Sequence, residues 1–513
     1  MCSSDLKPVN FLASCDGFEV FRGRGGVSGP QLDTKEKIAA YAAELRRNGY
    51  NMVRDHFLDT VLVFDSKKDK ELDPVWLDRF DYYVYCLKQN GIYLNIDAMT
   101  SWIGYSAGNP WDGKRSGNSA GFKFSIHFDP EARANWAAGM RALLTHVNPY
   151  TGTRLAEDPV LALIQGYNEQ EFGFYKPGDW SIAAPKFREF LKNRYGTVEH
   201  LRESWGDLLP ATVAGFDDVP MFDLAMTKAR DARSRDAALF MNRVERDTAK
   251  WYRSELEKMN CKALLSNYNM SKSLRYSAVR SDLDFVSMKG YPVHPTDYSN
   301  PGSVLEQPSS LEPDAGLARW LTGVKLAGKP LVITEYSHVF WNRYRYEQPF
   351  VAGAYGAFQK FDVLTHYGSP ISVVPVQRIQ PFTAMADPIM RASEFLTFFL
   401  LRRGDITPAR QTVRLLLPEK EIFEQFDYNE GITANQSRLA LLTGFTTEVV
   451  PDDQSAPGLP LRNGEIALRA NGSAQVNTDL AGFSSVLENG GGDFNFPDFV
   501  EKRSEERRVG KEC

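Results

Sequence analysis

The chain has 513 residues, of which 43% are apolar and 24% are charged, with 60 basic and 65 acidic side chains and a net charge of -5. This balance is ordinary for a globular protein and excludes a disordered, collagen-like or disulfide-scaffold chain. No run approaches about 18 consecutive apolar residues and no block of basic residues stands out, so neither a membrane nor a nucleic acid is expected as a partner.

Both ends of the chain resemble translated sequencing adapters, as found on metagenomic fragments. Residues 1–6 (MCSSDL) and 503–513 (RSEERRVGKEC) are therefore expected to be artefacts, and we exclude them from fold reasoning. The remaining cysteines, at positions 15, 86 and 261, lack the spacing of metal ligands. Because the true start is expected to be missing, localisation stays open, and secretion or a periplasmic location are both compatible with the sequence.

Between residues 17 and 402, short apolar runs alternate with amphipathic helical sequence. Acidic residues that open predicted helices stand at Asp33, Asp73 and Asp129, and about 90 residues of helical sequence follow the fourth strand. The predicted strands cover residues 17–24, 50–56, 92–98, 160–167, 263–269, 284–291, 330–335 and 361–367. Eight strands that are each followed by helical sequence predict an α/β fold, a (β/α)8 TIM barrel.

Length alone allows about three domains, or one large barrel with a remnant. The strand pattern favours one catalytic barrel over residues 7–408. The pattern weakens in residues 409–502, and segment 451–498 is rich in Gly, Asn, Asp, Ser and Pro. We expect this region to be a truncated accessory segment of loops and edge strands.

In such a barrel, active sites lie at the carboxyl ends of the strands. Glutamates arrive there on strands four and seven, which face each other across the barrel, as Glu169 and Glu335. The other polar or aromatic residues at strand ends are Arg54, Asp55, His56, Asp97, Asn168, Asn267, Tyr268, Asn269, Lys289, Tyr291, His366 and Tyr367.

Two facing carboxyl groups are what cleavage of a glycosidic bond requires. One protonates the leaving oxygen, and the other attacks the anomeric carbon or activates a water molecule. A separation near about 5 Å gives retention of configuration and about 6.5–9.5 Å gives inversion. A neighbouring arginine such as Arg54 keeps a carboxylate charged. An asparagine beside the acid, as Asn168 is, can bind the sugar hydroxyl next to the reacting carbon.

These residues resemble clan A of the glycoside hydrolases. The resemblance rests on Asn168-Glu169 after an apolar strand, Glu335 at the end of the strand LVITE, and Arg54 at the end of strand two. Residues 148–169 look like the approach to the acid/base in family 5 mannanase-like enzymes. Residues 187–206 look like the helix pair of family 42 and related β-glycosidases.

The resemblance covers roughly residues 17–402 and implies a retaining mechanism without a cofactor. By matching position, Glu169 would be the acid/base, Glu335 the nucleophile and Tyr291 the tyrosine that binds the nucleophile. At two positions the sequence departs from the usual residues of the clan, and these positions bear on the family and on the sugar at the cleavage site. His366 and Tyr367 stand where the clan usually has a tryptophan, and Gln170 replaces a proline common in family 5.

Further side chains are candidates for binding a carbohydrate substrate. His56, Asp97, Asn267 and His366 are expected to contact sugar hydroxyls. Trp102, Trp111 and Trp341 fall in loops where sugar faces would stack. The histidines at positions 56, 294, 338 and 366 lie on different strands without HxH or HExxH spacing, so no metal site is predicted.

The sequence leaves two alternatives to a retaining β-glycosidase acting on a β-glycan or its oligosaccharides. A catalytically inactive carbohydrate-binding barrel is disfavoured, because both glutamates are intact. A barrel enzyme of another class would need a Schiff-base lysine or a metal cluster, and Lys289 is the one candidate lysine. The sugar, the linkage, exo or endo action and the oligomeric state stay open.

Overall fold

The computed structural model of the chain describes residues 10–23, 26–111, 121–172, 181–222, 231–297, 302–424, 431–432, 434–452, 457–469 and 474–477. The two expected adapter segments, residues 1–6 and 503–513, and the last part of the expected accessory region, 478–502, lie outside the described residues.

Eight parallel strands form the barrel that the sequence predicts. Hydrogen-bonded ladders join them in the order β5-β4-β3-β2-β1-β8-β7-β6. Between the fifth and sixth strands, two separate hydrogen bonds take the place of a ladder and close the barrel. Asp284 N donates to Leu265 O at 3.0 Å, and Ser266 Oγ donates to Phe285 O at 2.7 Å. The strands are β1 Phe11–Asp16, β2 Met52–Asp55, β3 Tyr93–Asp97, β4 Leu161–Gln165, β5 Leu264–Ser266, β6 Val286–Gly290, β7 Leu331–Tyr336 and β8 Val363–His366.

Helices surround the barrel and cover its apolar outer face. Two of the predicted helix starts are confirmed, because Asp73 and Asp129 accept backbone N–H groups of the first turn. The predicted cap at Asp33 is wrong by one residue, since Thr34 caps that helix. The helices are α1 Phe18–Arg22, α2 Lys35–Arg47, α3 Leu58–Val63, α4 Pro74–Gln89, α5 Gly121–Ser125, α6 Pro130–Thr145, α7 Ala184–Tyr195, α8 Val198–Trp205, α9 Ala232–Lys258, α10 Arg275–Arg280, α11 Gly316–Gly323, α12 Tyr355–Phe358, α13 Pro388–Thr397, α14 Glu419–Glu424 and α15 Ala434–Arg438.

The first strand lies earlier than predicted. The prediction over residues 17–24 is wrong, because β1 ends at Asp16 and Phe18–Arg22 forms the short helix α1. The apolar residues of GFEVFRGR are buried, as a strand would require, yet they pack as one helical turn at the barrel rim. Phe18 contacts the Trp111 ring edge to face at 4.7 Å, so this segment forms part of the wall above the strands.

A second sheet follows the barrel and is more regular than the expected loops and edge strands. Its strands are parallel except for the last, and their order is β10-β9-β11-β12. The strands are β9 Thr412–Pro418, β10 Gly444–Val450, β11 Glu465–Arg469 and β12 Ala474–Asn477. Over the part of the chain that is described, no helix combines the length and the apolar character needed to cross a membrane.

Candidate active site

A cavity of about 480 Å³ opens at the carboxyl ends of the barrel strands. Seven of the eight strands deliver lining residues, either at their ends or in the loops that follow. Three glutamate carboxylates, two lysines and several aromatic rings share this space. The lining residues are Cys15, Gly17, Glu19, His56, Phe57, Thr100, Trp102, Trp111, Lys123, Asn168, Glu169, Lys289, Tyr291, His294, Glu335, Tyr367, Gly368, Ser369, Gln380, Phe382 and Thr383.

Glu335 lies near the end of β7 and is almost completely buried. Arg54 Nη1 donates to its Oε1 at 2.9 Å, and Tyr291 OH donates to its Oε2 at 2.6 Å. Burial raises the pKa of this carboxyl, but the charges of Lys289 and Arg54 outweigh burial and hold the pKa well below its usual range. Glu335 is therefore ionised at neutral pH.

Arg54 is fully buried at the end of β2 and joins four parts of the site. Its guanidinium binds both carboxylate oxygens of Asp97, at 3.1 and 2.7 Å. It also donates to Glu335 and to the Asn168 side-chain oxygen, the latter at 2.9 Å. A planar guanidinium with five donors suits this arrangement, because each partner accepts along a fixed direction.

Glu169 follows β4 and has a left-handed backbone, with φ 55°. A non-glycine residue in this region is strained, and such strain persists only where the surroundings hold it. Asn269 supplies that support, since its Oδ1 accepts the Glu169 backbone N–H at 3.0 Å. The Asn269 amide donates in turn to Asn168 Oδ1 and Thr334 Oγ1. The network fixes the loop that presents both Asn168 and Glu169.

Two lysines approach the Glu169 carboxylate. Lys289, from β6, donates to Oε1, and its ammonium also lies 3.7 Å from Glu335 Oε2. Lys123, from α5, lies 3.5 Å from Oε2 and donates to the Asn168 backbone oxygen at 2.8 Å. Burial lowers the pKa of Lys289 and lowers that of Lys123 to about 8.

Aromatic rings form two sides of the cavity. On one side, the Phe57 ring contacts both Trp102 and Trp111, with ring centroids 6.5 and 5.7 Å apart respectively. On the other side, Tyr291 packs edge to face against Phe382 at 5.3 Å. Polar groups between two aromatic sides suit a sugar, which offers apolar C–H faces and a rim of hydroxyl groups.

The structure brings together most of the predicted site residues. Arg54 contacts Glu335 directly, and Glu169, Asn168, His56, Tyr291 and Trp102 line the cavity. Asp97 is buried behind it and binds Arg54 and Nδ1 of His56, the latter at 2.5 Å. This bond leaves Nε2 as the His56 nitrogen available to a ligand.

Besides Asp97, three predicted sugar-binding residues are not brought to the cavity. Asn267 is fully buried, accepts from Tyr167 N and donates to Gln170, so its amide supports the barrel. His366 is fully buried and pairs with Glu394 at 2.8 Å. Trp341 is 36% exposed and stands outside the lining. For these side chains, the structure gives no basis for contact with a ligand in the cavity.

Several lining residues were missed by reasoning from strand ends. Lys123, Phe57, Phe382 and Glu19 come from loops or short helices, where the sequence carries no periodic signal. Lys289 and Tyr367 did stand at predicted strand ends but were not assigned to sugar binding. Their position at the end of a predicted strand did not distinguish them from Asn267 and His366, which face away from the cavity.

The described residues contain no cluster of three or more histidine, cysteine, aspartate or glutamate side chains that could hold a metal ion. His338 binds Ser310 Oγ, and burial lowers its pKa to about 3. His366 binds Glu394, whereas His56 and His294 line the cavity separately.

The sequence model of glycoside hydrolase family 42, described as beta-galactosidase, matches residues 132–353, a span that contains both Glu169 and Glu335. This similarity to glycoside hydrolase family 42 covers 222 of the 513 residues. Family 42 is a family of retaining O-glycosyl hydrolases. No curated protein sequence shows significant similarity to this chain.

Solved structures support the same architecture. A beta-galactosidase from Rahnella sp. R3 matches with a TM-score of 0.57 and 15% identity, over 88% of this chain and 66% of that chain. A beta-galactosidase from Bacillus circulans sp. alkalophilus matches with a TM-score of 0.54 and 17% identity, over 85% and 61%. The chain thus spans less than two thirds of both galactosidases. An endo-beta-1,4-mannanase from Thermotoga petrophila has a TM-score of 0.45 and 13% identity over 80% of this chain and 82% of that chain, too low to support an argument.

Proposed function

We propose that the protein hydrolyses β-galactosides with retention of configuration, with Glu335 as the nucleophile and Glu169 as the acid/base. The observation that carries this proposal is the environment of Glu335. A buried carboxylate that is held ionised by the charges of Lys289 and Arg54, and that faces a second carboxylate across a cavity, fits the role of a glycosidase nucleophile. The galactoside preference rests on the description of the family and on the names of the matching structures.

In the first half of the reaction, a Glu335 oxygen attacks the anomeric carbon and the bond from that carbon to the leaving oxygen breaks. Protonated Glu169 gives its proton to the leaving oxygen. In the second half, ionised Glu169 takes a proton from water, the water oxygen attacks the anomeric carbon, and the ester bond to Glu335 breaks. The sugar keeps its configuration, and both glutamates return to their starting protonation states.

The spacing of the two glutamates supports this assignment. The Lys289 ammonium reaches both carboxylates, in direct contact with Glu169 and at 3.7 Å from Glu335. With an ordinary ammonium–carboxylate contact of about 2.8 Å, the nearest oxygens of the pair are at most about 6.5 Å apart. This limit favours the short separation of retaining enzymes over the wider one that admits a water molecule for inversion.

The test begins with a panel of 4-nitrophenyl β-glycosides, lactose, and β-glucan, mannan and galactan polymers, read by released chromophore and sugar. We expect the galactoside to be the best substrate and Glu335→Ala to lose about a thousandfold or more of the activity. Because Glu171 is buried outside the lining and accepts the Ser271 backbone N–H, Glu171→Gln is the matched control and should retain turnover.

Azide separates the two roles. With Glu335→Ala, azide attacks in place of the missing nucleophile, so we expect the α-glycosyl azide. With Glu169→Ala, the nucleophile acts first and azide replaces water, so we expect the β-glycosyl azide. Survival of Glu335→Ala activity within tenfold of the native enzyme would refute the nucleophile assignment. An α product from the Glu169 variant would refute the acid/base assignment.

A further inference from the structure

Lys289 occupies the place where the reacting bond must enter. Its ammonium binds Glu169 Oε1 and lies 3.7 Å from Glu335 Oε2, so a cation stands between the two proposed catalytic carboxylates. The side chain is only 13% exposed. In the proposed reaction the glycosidic oxygen must approach Glu169 from this space. The ammonium therefore has to leave Glu169 before a sugar can be cleaved.

The contact also opposes the first proton transfer. Glu169 must hold a proton to act as the acid, whereas an ammonium in contact with a carboxyl group stabilises the charged form. In the second half-reaction the requirement reverses, because Glu169 must then be ionised to accept a proton from water. The same ion pair is thus unfavourable for bond cleavage and favourable for hydrolysis of the glycosyl-enzyme.

The charged groups around this pair come from several elements. Lys123 of α5 reaches the opposite oxygen of Glu169 but is also bound to the Asn168 backbone, so it is fixed in place. Burial disfavours the charged form of Lys289, and the negative charge of Glu335 is the main interaction that favours it. Among the described residues, the charged and titratable groups that face the pair are Cys15, Glu19, Arg54, His56, Asp97, Lys123, Tyr291, His294, Glu335 and Tyr367.

We propose that Lys289 is a positioning residue that holds Glu169 in its ionised form and moves toward Glu335 when a sugar enters. This inference rests on the proposed function, because it assigns Lys289 a part in that reaction. The ammonium keeps its proton throughout, and its charge supports the base form of Glu169 in the second half-reaction. The same charge slows the first half-reaction at high pH, because little Glu169 is then in the acid form that bond cleavage requires.

The test uses Lys289→Met, which keeps the length of the side chain and removes the charge. With phenyl β-galactoside, whose leaving group needs a proton, the alkaline limb of kcat/KM should move up by about one pH unit. With 2,4-dinitrophenyl β-galactoside, whose leaving group needs none, kcat should fall about tenfold or more, because hydrolysis of the glycosyl-enzyme becomes limiting. Lys289→Arg should restore the native pH limb.

Lys88→Met is the matched control, because Lys88 also pairs with a carboxylate, Asp158, at 2.6 Å but lies outside the cavity. It should leave the pH profile unchanged. Thermal unfolding checks that each variant is folded, and Lys289→Gln serves as a second neutral variant if Lys289→Met is not. An unshifted alkaline limb in the neutral variants, with normal folding, would overturn the inference.

A measurement without turnover separates this inference from the proposed function. Infrared difference spectra against Glu169→Gln report the protonation of the Glu169 carboxyl in the substrate-free protein. Glu169 should take up its proton at higher pH in Lys289→Met than in the native protein. If the native protein cleaves no glycoside, the proposed function fails while this titration still decides the role of Lys289. Identical titrations in both proteins would reject that role.

Discussion

The guanidinium of Arg54 has no exposed surface, and its charge is balanced entirely by buried partners. Asp97 accepts two hydrogen bonds from it, and Glu335 accepts one. Two carboxylates and one guanidinium would leave a negative excess, which the Lys289 ammonium offsets from the other side of Glu335. The ionised state of the proposed nucleophile thus depends on two cations, of which only Arg54 is fixed by several bonds.

Arg54→Met should therefore damage both stability and catalysis. Removing one partner leaves Asp97 and Glu335 as buried charges without their main cation, which costs about 3–5 kcal/mol of the free energy of unfolding. Urea unfolding measures this loss. Arg403→Met is the control, because its pair with Asp405 is exposed on both sides and should change stability by about 0.5 kcal/mol or less.

For Arg54→Met we also expect a change in the pH dependence of kcat/KM. In the native protein the pKa of Glu335 is depressed in the folded state, so the stability it contributes is complete above the unfolded pKa of about 4.3 and is lost as the pH falls through the folded pKa. Without Arg54 the folded pKa rises. The acidic limb of kcat/KM should then move to higher pH by about one unit or more. An acidic limb that stays at its native position would contradict this role of Arg54.

Strand ends identify which residues are near the site, but not which way they point. Successive side chains on a strand face opposite sides, so an error of one residue exchanges the interior with the surroundings. On β8, His366 turns to Glu394 while Tyr367, the next residue, lines the cavity. After β5 has ended, strand alternation no longer applies, and Asn269 supports Glu169 while Asn267, two residues earlier, binds Gln170. Because packing determines these orientations, the sequence predicts which residues lie near the site but not which group each of them contacts.

At the scale of elements, helix α6 positions the wall that carries Trp102. Tyr105, three residues after Trp102, lies flat against Gly139 of α6, where an added Cβ would stand 2.1 Å from the ring. Tyr105 OH donates to Ala98 O at 2.9 Å, and Tyr105 N donates to Asn135 Oδ1 at 2.9 Å. The glycine therefore allows the loop after β3 to lie close to the helix.

Gly139→Ala should displace the Tyr105 ring and move this wall. Overpacking costs about 1–3 kcal/mol of the free energy of unfolding, and displacement of Trp102 should raise KM severalfold with a smaller change in kcat. Thermal unfolding and steady-state kinetics measure the two effects. In Gly316→Ala of α11 the added Cβ meets no atom within 4 Å, so this control should be neutral or slightly stabilised. Equal KM values for Gly139→Ala and the native enzyme would show that α6 does not set the wall.

Elements with strong local signals were predicted well, and those without them were not. Helices α4 and α6 begin with Asp-Pro and hold an apolar stripe, so their starts follow from residue chemistry alone. Strand β1, FLASCD, has no β-branched residue, whereas the following segment, GFEVFRGR, contains the β-branched and aromatic residues that are typical of a strand. The pairing of β1 with β2 and β8 decides its position, and those partners are distant in sequence.

At the scale of the whole molecule, the second sheet is bound to the barrel by a shared core and by buried hydrogen bonds. Leu274, which precedes α10, and Ala278 of α10 pack with apolar residues of β9 and β10 in one cluster. Thr447 N donates to Lys325 O, and Ala327 N donates to Thr447 O, both at 2.8 Å. Such contacts indicate that the barrel and this sheet unfold together.

A substitution at Gln359 tests whether the barrel and the second sheet unfold together. Its buried side chain, next to α12, donates to Ala440 O and to Thr443 O, the latter at 2.7 Å, and accepts from Phe445 N at 2.9 Å. Gln359→Ala leaves these backbone groups unpaired, so the free energy of unfolding should fall by about 2–4 kcal/mol. Gln89→Ala, on the exposed side of α4, is the control and should change it by about 0.5 kcal/mol or less. A single urea transition, moved to lower concentration, is expected when tryptophan fluorescence and circular dichroism are followed together. Two transitions, with only one of them moved by Gln359→Ala, would show instead that the barrel and the second sheet unfold independently.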